Sequence, residues 1–439
     1  MIVSLMSGGA KSATAIRLIL LFVVALGVYW GTALYFGNTE TPDVAYFNHL
    51  AHAFLNGRTY IPFPPSEHDL TAFQGRWYVP FPPLPALLML PWVWWAGVNG
   101  VNTVFFCAFF GALNVLLVHL LLCALSARGW SKLCTGDNLW LTTLFGLGSV
   151  HWYMSTIGSV WFVAQVCAIT FVALAVWLAV AGRSPWLVGG ALALAVIGRP
   201  NLLFTWPLLA GMAAMLFPFS PPLPFTPRSP PVRTQRVPGA PRCEAPAERT
   251  HGEALTPLLR WLMISLLPIA FAVAGLFVYN WARFADPFDF GYLRENVAEK
   301  LVPDLRTYGQ FNLRYLPKNF WAMLLAGPRW NDETRFFEPD GEGMSLLLTT
   351  PALLYLARAR RRDPLTGGAW LALFLLLIPL LLYYNTGWWQ FGYRFSLDFM
   401  LPVMVLLASS AGRRVSWALR SLILIGISVN AWGVWWWHG

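Results

Sequence analysis

The chain has 439 residues, of which 57% are apolar and only 11% charged. Soluble domains carry about 25% charged residues, so a soluble enzyme is excluded and a polytopic membrane protein is the class that fits. The 24 Trp, 36 Gly and 33 Pro agree, because indole rings collect at bilayer interfaces and membrane bundles tolerate helix breakers. Five cysteines form no CxxC pair, so neither a disulfide framework nor a zinc site is expected.

Hydropathy predicts about eleven spans in an all-α bundle. The first runs from Leu18 to Phe36, long enough for a hydrocarbon core of about 30 Å; it follows Lys11 and Arg17 without a small-residue cleavage site and is read as retained. The others cover Asn102 to Leu125, Leu139 to Thr156, Trp161 to Ala181, Pro185 to Gly198, Leu202 to Phe217, Leu258 to Trp281, Ser345 to Ala357, Ala369 to Tyr384, Phe399 to Ala411 and Ser416 to Trp437. Two halves, 1–217 and 258–439, are joined by 218–257, whose eleven prolines and weak hydrophobic pattern predict a disordered cytosolic linker.

The net charge of +10 would suggest nucleic acid in a soluble chain, but sorting it by loop removes that reading. With a cytosolic N-terminus, the inner segments hold 18 basic residues and five acids, against 12 basic and 15 acidic outside. The positive-inside rule is met with a wide margin. The scarce acids gather on two outer loops, Gly37 to Asn99 and Ala282 to Gly343.

In the first outer loop, Phe47, Leu50, Ala51 and Phe54 make one helical stripe, with Asp43 at the expected N-cap and Gly57 just past the end. YIPFPP (60–65) recurs as YVPFPP (78–83), and the Gln74-Gly75 step between LTAF and RWYV predicts a small hairpin. The apolar stretch Leu84 to Gly97 is short and carries an internal proline, which suits an interfacial helix.

One span, an acid soon after it, surface-lying helices, a PPxP segment and a multi-span bundle resemble the GT-C superfamily of membrane glycosyltransferases. Protein O-mannosyltransferases and lipid A aminoarabinose transferases belong there. The pieces YNWARFADPFDFGY and GWWQFGYRFSLDFMLP also resemble those of uncharacterised bacterial GT-C-like proteins. The resemblance implies an inverting transfer of a sugar from a polyprenyl-phosphate carrier to a lipid, glycan or protein acceptor at the outer face. Asp43, in TPDVAY, is the position matching the family's general base; a carboxylate so placed is worth a factor of about 100 to 10,000. A helix cap is the plainer reading of the same residue.

Asp69 and His68, in SEHDL, are candidates for acceptor or sugar binding, or else solvated loop charges. A departing phosphate needs charge neutralisation, which Arg forks supply; the candidates are Arg199 in IGRPN, Arg394 in QFGYRFSLDF, Arg58 and Arg76. Arg394 stands four before Asp398, so a helical ion pair competes with a phosphate role. Gln390, with Trp388 and Trp389, is a candidate for sugar contact, against an interfacial aromatic belt. His49 and His52 lack a third ligand and no DxD, HExxH, GxGxxG or Walker motif occurs, so no metal and no nucleotide cofactor are expected. A transporter or lipid flippase, and a noncatalytic scaffold, are the alternatives. The sequence has no N-x-S/T sequon, which fits a bacterial plasma membrane.

Overall fold

A computed structural model describes residues 8–217, 251–360 and 362–439. The chain is mostly helical, and among the described residues six segments are long and apolar enough to cross a bilayer: Thr14–Tyr35, Thr103–Ala127, Val160–Val180, Thr256–Phe284, Pro364–Leu382 and Trp417–His438. They belong to α1 (Gly8–Tyr35), α4 (Thr103–Ala127), α7 (Val160–Val180), α10 (His251–Phe284), α14 (Pro364–Leu382) and α16 (Trp417–His438). A helix apolar all round belongs at a bundle centre. α7, written VWFVAQVCAITFVALAVWLAV, buries 78% of its most apolar stretch and its neighbour α4 72%, against 17% for α1. α1 leaves Ile16, Leu20, Val23 and Val24 exposed, as a lipid-facing helix does.

The remaining expected spans are shorter or broken. Leu139 to Thr156 is α5 (Thr135–Gly146) and α6 (His151–Met154), interrupted around Gly148; Pro185–Gly198 is α8; Leu202 to Phe217 is a 3-10 turn and then α9 (Trp206–Leu216). Ser345 to Ala357 becomes α13 (Leu346–Thr349) and a 3-10 segment starting at Pro351, and Phe399 to Ala411 becomes α15 (Met400–Ser410) after a 3-10 turn at Arg394–Phe399. Prolines and glycines remove backbone donors or stiffness at these breaks. Of the expected linker, 218–250 lies outside the described residues. Residues 251–257 are not linker but the first turns of α10, which accommodates Pro257 and Pro268.

Small residues let helices from the two sides of the linker touch backbone to backbone. A Cβ on Gly189 of α8 would sit 2.0 Å from the Ser265 carbonyl oxygen of α10, and one on Gly211 of α9 would sit 2.3 Å from that of Pro364 in α14. One hydrophobic core runs from Ala25 to Val434 through both halves, so the division at the linker is one of sequence and not of packing.

Hydrogen bonds fix which helix ends share a face. The Asn102 amide, which also caps α4, donates to the Thr39 carbonyl at 2.7 Å, the Val160 N–H donates to Val44 at 3.1 Å, and Asn38 meets His438 at 2.9 Å. The end of α1, the starts of α4 and α7, and the end of α16 therefore lie together, at what we term the loop end. At the opposite end Arg128 donates to Val180 at 2.9 Å and Arg420 pairs with Asp137 at 3.2 Å.

The first loop contains α2 (Tyr46–Leu55), the hairpin of β1 (Thr71–Phe73) and β2 (Arg76–Tyr78), and α3 (Leu84–Ala96). Thr71 pairs with Tyr78 and Phe73 with Arg76. Gln74 and Gly75 have φ of +48° and +70°, the positive pair that a tight two-residue hairpin turn requires. The second loop carries α11 (Val302–Tyr308), α12 (Leu316–Leu324) and a second hairpin of β3 (Arg329–Asn331) and β4 (Phe336–Glu338).

Candidate active site

Three segments distant in sequence are stitched together at the loop end. The Asp69 N–H donates to the Asn296 carbonyl at 2.9 Å and the Asn296 N–H donates back to Leu70 at 2.8 Å, next to a bridge between Thr71 and Glu295. This two-way exchange docks the first loop on the second. The second loop reaches the end of α14 through Tyr384 N–H to Gln310, 3.0 Å, and through the buried Asn319 amide, which donates to Tyr383 at 2.7 Å. Between them lies a cavity of about 230 Å³, walled also by Trp161 and Gln165 of α7 and by Arg199 and Asn201 beyond α8. Its apolar wall includes Phe81, Phe290, Phe311, Leu380 and Trp388, and Asp69, Glu295, Arg199 and Arg394 are the ionisable acids and bases that line it.

The two cavity arginines have opposite situations. Arg199 places Nη2 2.7 Å and Nε 3.2 Å from one Asp398 oxygen, which also accepts from Asn201 at 2.8 Å, while the other oxygen accepts from Gln165 at 2.7 Å. Asp398 is fully buried and its charge is matched. The ion pair expected between Arg394 and Asp398 does not form: the 3-10 turn over 394–399 puts these side chains on different headings, and Asp398 serves Arg199. Arg394 is 6% exposed, and among the described residues no carboxylate lies within 4 Å of its guanidinium and no protein acceptor takes a hydrogen bond from it. Its guanidinium lies over Phe162 and Phe395 at 5.4 and 5.1 Å. Aromatic faces offset only part of the cost of burying a cation.

Asp69 is the carboxylate nearest this cation by charge coupling. Its side chain, 17% exposed, accepts from the Trp161 indole at 2.8 Å and faces His68 at 3.8 Å. Burial pushes its carboxyl up, against the pull of His68, the indole and Arg394. Glu295, 2% exposed, is pushed well above the usual carboxylate range by burial and then by the Asp69 charge. Burial lowers the Arg394 pKa, with the Arg199 charge acting in the same direction.

The structure brings together Asp69, Arg199 and Arg394 among the residues singled out from sequence, with His68 beside them. Asp43 does not join them. It is exposed, lines no described cavity and does not cap α2, whose N-cap position is Ala45 without a side-chain bond. α2 starts two residues later than expected, with Ala45 and not Asp43 at its N-cap, which separates Asp43 from the helix end. Of the two first-loop acids singled out from sequence, Asp69 lines the cavity and Asp43 does not. Arg58 is exposed, and Arg76 is exposed over the Tyr60 ring at 4.5 Å; neither lines the cavity. Gln390 is fully buried but clasps its own loop: its amide donates to Glu342 and Thr386 carbonyls at 2.9 and 2.8 Å and accepts from the Arg394 N–H at 2.9 Å. It positions Arg394 and does not face the cavity.

Sequence reading missed Glu295, Gln165, Asn201, Tyr292 and the Tyr383–Tyr384 pair. Asn201 follows Arg199 in IGRPN and the tyrosines close an apolar run, so a polar residue at the end of a span was the available signal. Glu295, in the mixed-charge LRENVAEK, carries none. Asp286 and Asp289 serve the second loop itself, accepting from the N–H groups of Phe288 and Gly291 at 2.8 and 2.7 Å. Among the described residues no group of three or more His, Cys, Asp or Glu is placed to hold a metal ion.

No protein-family model matches the sequence, and no curated protein matches it. Among solved structures, the chain is similar to the archaeal oligosaccharyltransferase AglB from Archaeoglobus fulgidus in complex with an inhibitory peptide and a dolichol-phosphate, at 13% identity and a TM-score of 0.41. That comparison covers 97% of this chain and 56% of that one. The oligosaccharyltransferase of the same organism tethered with an acceptor peptide is matched at 14% identity and a TM-score of 0.40, over 95% of this chain and 55% of that one. The chain thus spans about half the length of the structures it matches, and the function proposed below rests on the cavity's own residues.

Proposed function

We propose that the chain is a multi-pass membrane glycosyltransferase of the GT-C kind, crossing the bilayer about eleven times. It moves a sugar from a polyprenyl-phosphate carrier to an acceptor hydroxyl at the outer face of a bacterial plasma membrane. The observation that carries this is Arg394: a buried cation with no carboxylate within 4 Å among the described residues, in one cavity with the desolvated Asp69. A site that holds an uncompensated cation is made for an anion, and a phosphate oxygen matches a guanidinium fork.

In the reaction, the acceptor oxygen attacks the anomeric carbon from the side opposite the phosphate, and the carbon–oxygen bond to phosphate breaks with inversion. The electron pair leaves on the phosphate, whose growing charge is met by Arg394 and, from its fixed pairing with Asp398, by Arg199. The acceptor proton passes to Asp69, which takes the base role expected of Asp43. The Trp388 and Tyr292 rings, which line the cavity, support a sugar, as flat apolar groups do.

The test is a transfer assay with purified protein and labelled polyprenyl-phosphate sugars. Asp69→Asn is expected to lose a factor of about 100 to 10,000 in rate while Asp43→Asn stays within a few-fold of wild type. An inactive Asp43→Asn beside an active Asp69→Asn would return the base to Asp43. Movement of the lipid across a vesicle with no covalent product from any sugar would replace the transferase reading by transport.

A further inference from the structure

Glu295 has no place in the reaction just described, yet it is the most deeply buried acid of the cavity. It is 2% exposed and lines the cavity, and its Oε2 is buried without a hydrogen-bond partner. Among the described residues no cationic nitrogen lies within 4 Å of its carboxyl. The backbone leaves it little freedom, because the Thr71–Glu295 bridge and the Asp69–Asn296 exchange fix it beside the first loop.

The groups that face it come from every neighbouring element. Asp69 lies across the bridge, with His68 beside Asp69. From its own loop come Tyr292 and Arg306, whose guanidinium is spent on the Glu295 backbone carbonyl at 2.9 Å. From the end of α14 come Tyr383 and Tyr384, the latter with its hydroxyl beside the carboxyl, and beyond them is Arg394. An ionised carboxylate needs a cation or several donors to replace lost water, and here one tyrosine hydroxyl and a distant Arg306 charge stand in for them. Two carboxyls sharing one desolvated site do not both ionise; the proton stays on the one with the poorer surroundings. Asp69 has an indole donor and the Arg394 charge near it, so Glu295 is the one that keeps the proton.

We infer that Glu295 works as a neutral carboxylic acid, a hydrogen-bond donor that binds a hydroxyl of the donor sugar and leaves Asp69 free to ionise. This deepens the transferase reading and rests on it for the identity of the ligand. The chemical class selected is a neutral polyhydroxylated ring with an acceptor oxygen at that position. A cationic group there would instead pull the proton from Glu295, and a second anion would find no donor but this one.

Infrared spectroscopy decides the protonation state without any assay of function. At neutral pH the wild type is expected to show a protonated-carboxyl C=O band that shifts in heavy water and is lost in Glu295→Gln; identical spectra for the two proteins would overturn the inference. With polyprenyl-phosphate sugar as probe, Glu295→Ala is expected to lose about tenfold in kcat/KM, and Glu295→Gln, which keeps a donor in the same place, to recover most of that loss. The acid limb of the pH profile should not move in Glu295→Gln, since a neutral group is replaced by a neutral one. A Gln variant as damaged as the Ala variant, or an acid limb displaced to lower pH, would mean that Glu295 is ionised. If Asp69→Asn proved fully active, the base assignment would fall while the infrared result still read Glu295 directly.

Discussion

The two ends of the bundle handle buried charge differently. At the basic end, Arg420 meets Asp137 at 3.2 Å, Asp137 also accepts from the Val415 N–H at 3.1 Å, and the arginine packs over Trp140 and Trp417. Each ion of that pair has its counterion, and the pair ties the start of α16 to α5. At the loop end, Asp398 spends both oxygens on Arg199, Asn201 and Gln165, and Arg394, four residues earlier, has no acid within 4 Å among the described residues. The same residue types thus give a clasp at one end and an open valence at the other. Stability alone does not account for an unmatched buried cation, whose removal from water costs several kcal/mol; a site that receives an anion does.

The comparison is broken most forcefully by removing the shared acid. Asp398→Asn should leave Arg199 unpaired as well, costing about 3–5 kcal/mol and most of the transfer activity, read as a fall in Tm together with turnover. Asp137→Asn, at the other end, should cost about 1–3 kcal/mol with turnover per folded molecule unchanged. Equal losses of turnover in the two variants would mean that Asp398 is a clasp like Asp137.

A smaller effect sharpens the role of Asp69. Desolvation raises its pKa above the ordinary carboxylate range, and a base acts only when ionised, so turnover should fall as pH drops through that raised value. Its acid limb should lie above the ordinary carboxylate range; a limb at or below it would contradict a desolvated base. The sign for stability is opposite: a folded-state pKa raised above the unfolded value makes ionised Asp69 a cost at neutral pH, relieved as pH falls through the raised pKa. The smallest effect belongs to the exposed arginines. Arg58→Ala and Arg76→Ala should change turnover less than twofold and stability by less than about 0.5 kcal/mol.

How far the sequence foretold this depends on which force sets each feature. The long spans were legible because hydropathy acts locally: α4, α7, α10, α14 and α16 fall where apolar runs exceed the length of a bilayer crossing. The β1–β2 turn was legible because Gln74 and Gly75 accept positive φ. Arg199 stood out as a charge between two apolar runs. Partnership was not legible, because it is set by loops that meet only in three dimensions. Asp398 was read with its neighbour at four residues and in fact binds Arg199, about two hundred positions away in the chain. Asp43 and Asp69 are both loop acids, and nothing in their local sequence says that only Asp69 is drawn under the second loop by the exchange with Asn296. Gln390 sits in an aromatic segment that reads as a sugar platform, yet its amide is consumed by backbone.

The central claim is that Arg394 is an anion site awaiting a lipid phosphate, and equilibrium binding of a polyprenyl phosphate to the purified protein tests it most directly. Arg394→Ala should weaken binding by about tenfold or more while Arg420→Ala binds as wild type does. Undiminished binding by Arg394→Ala in a folded protein would contradict the account.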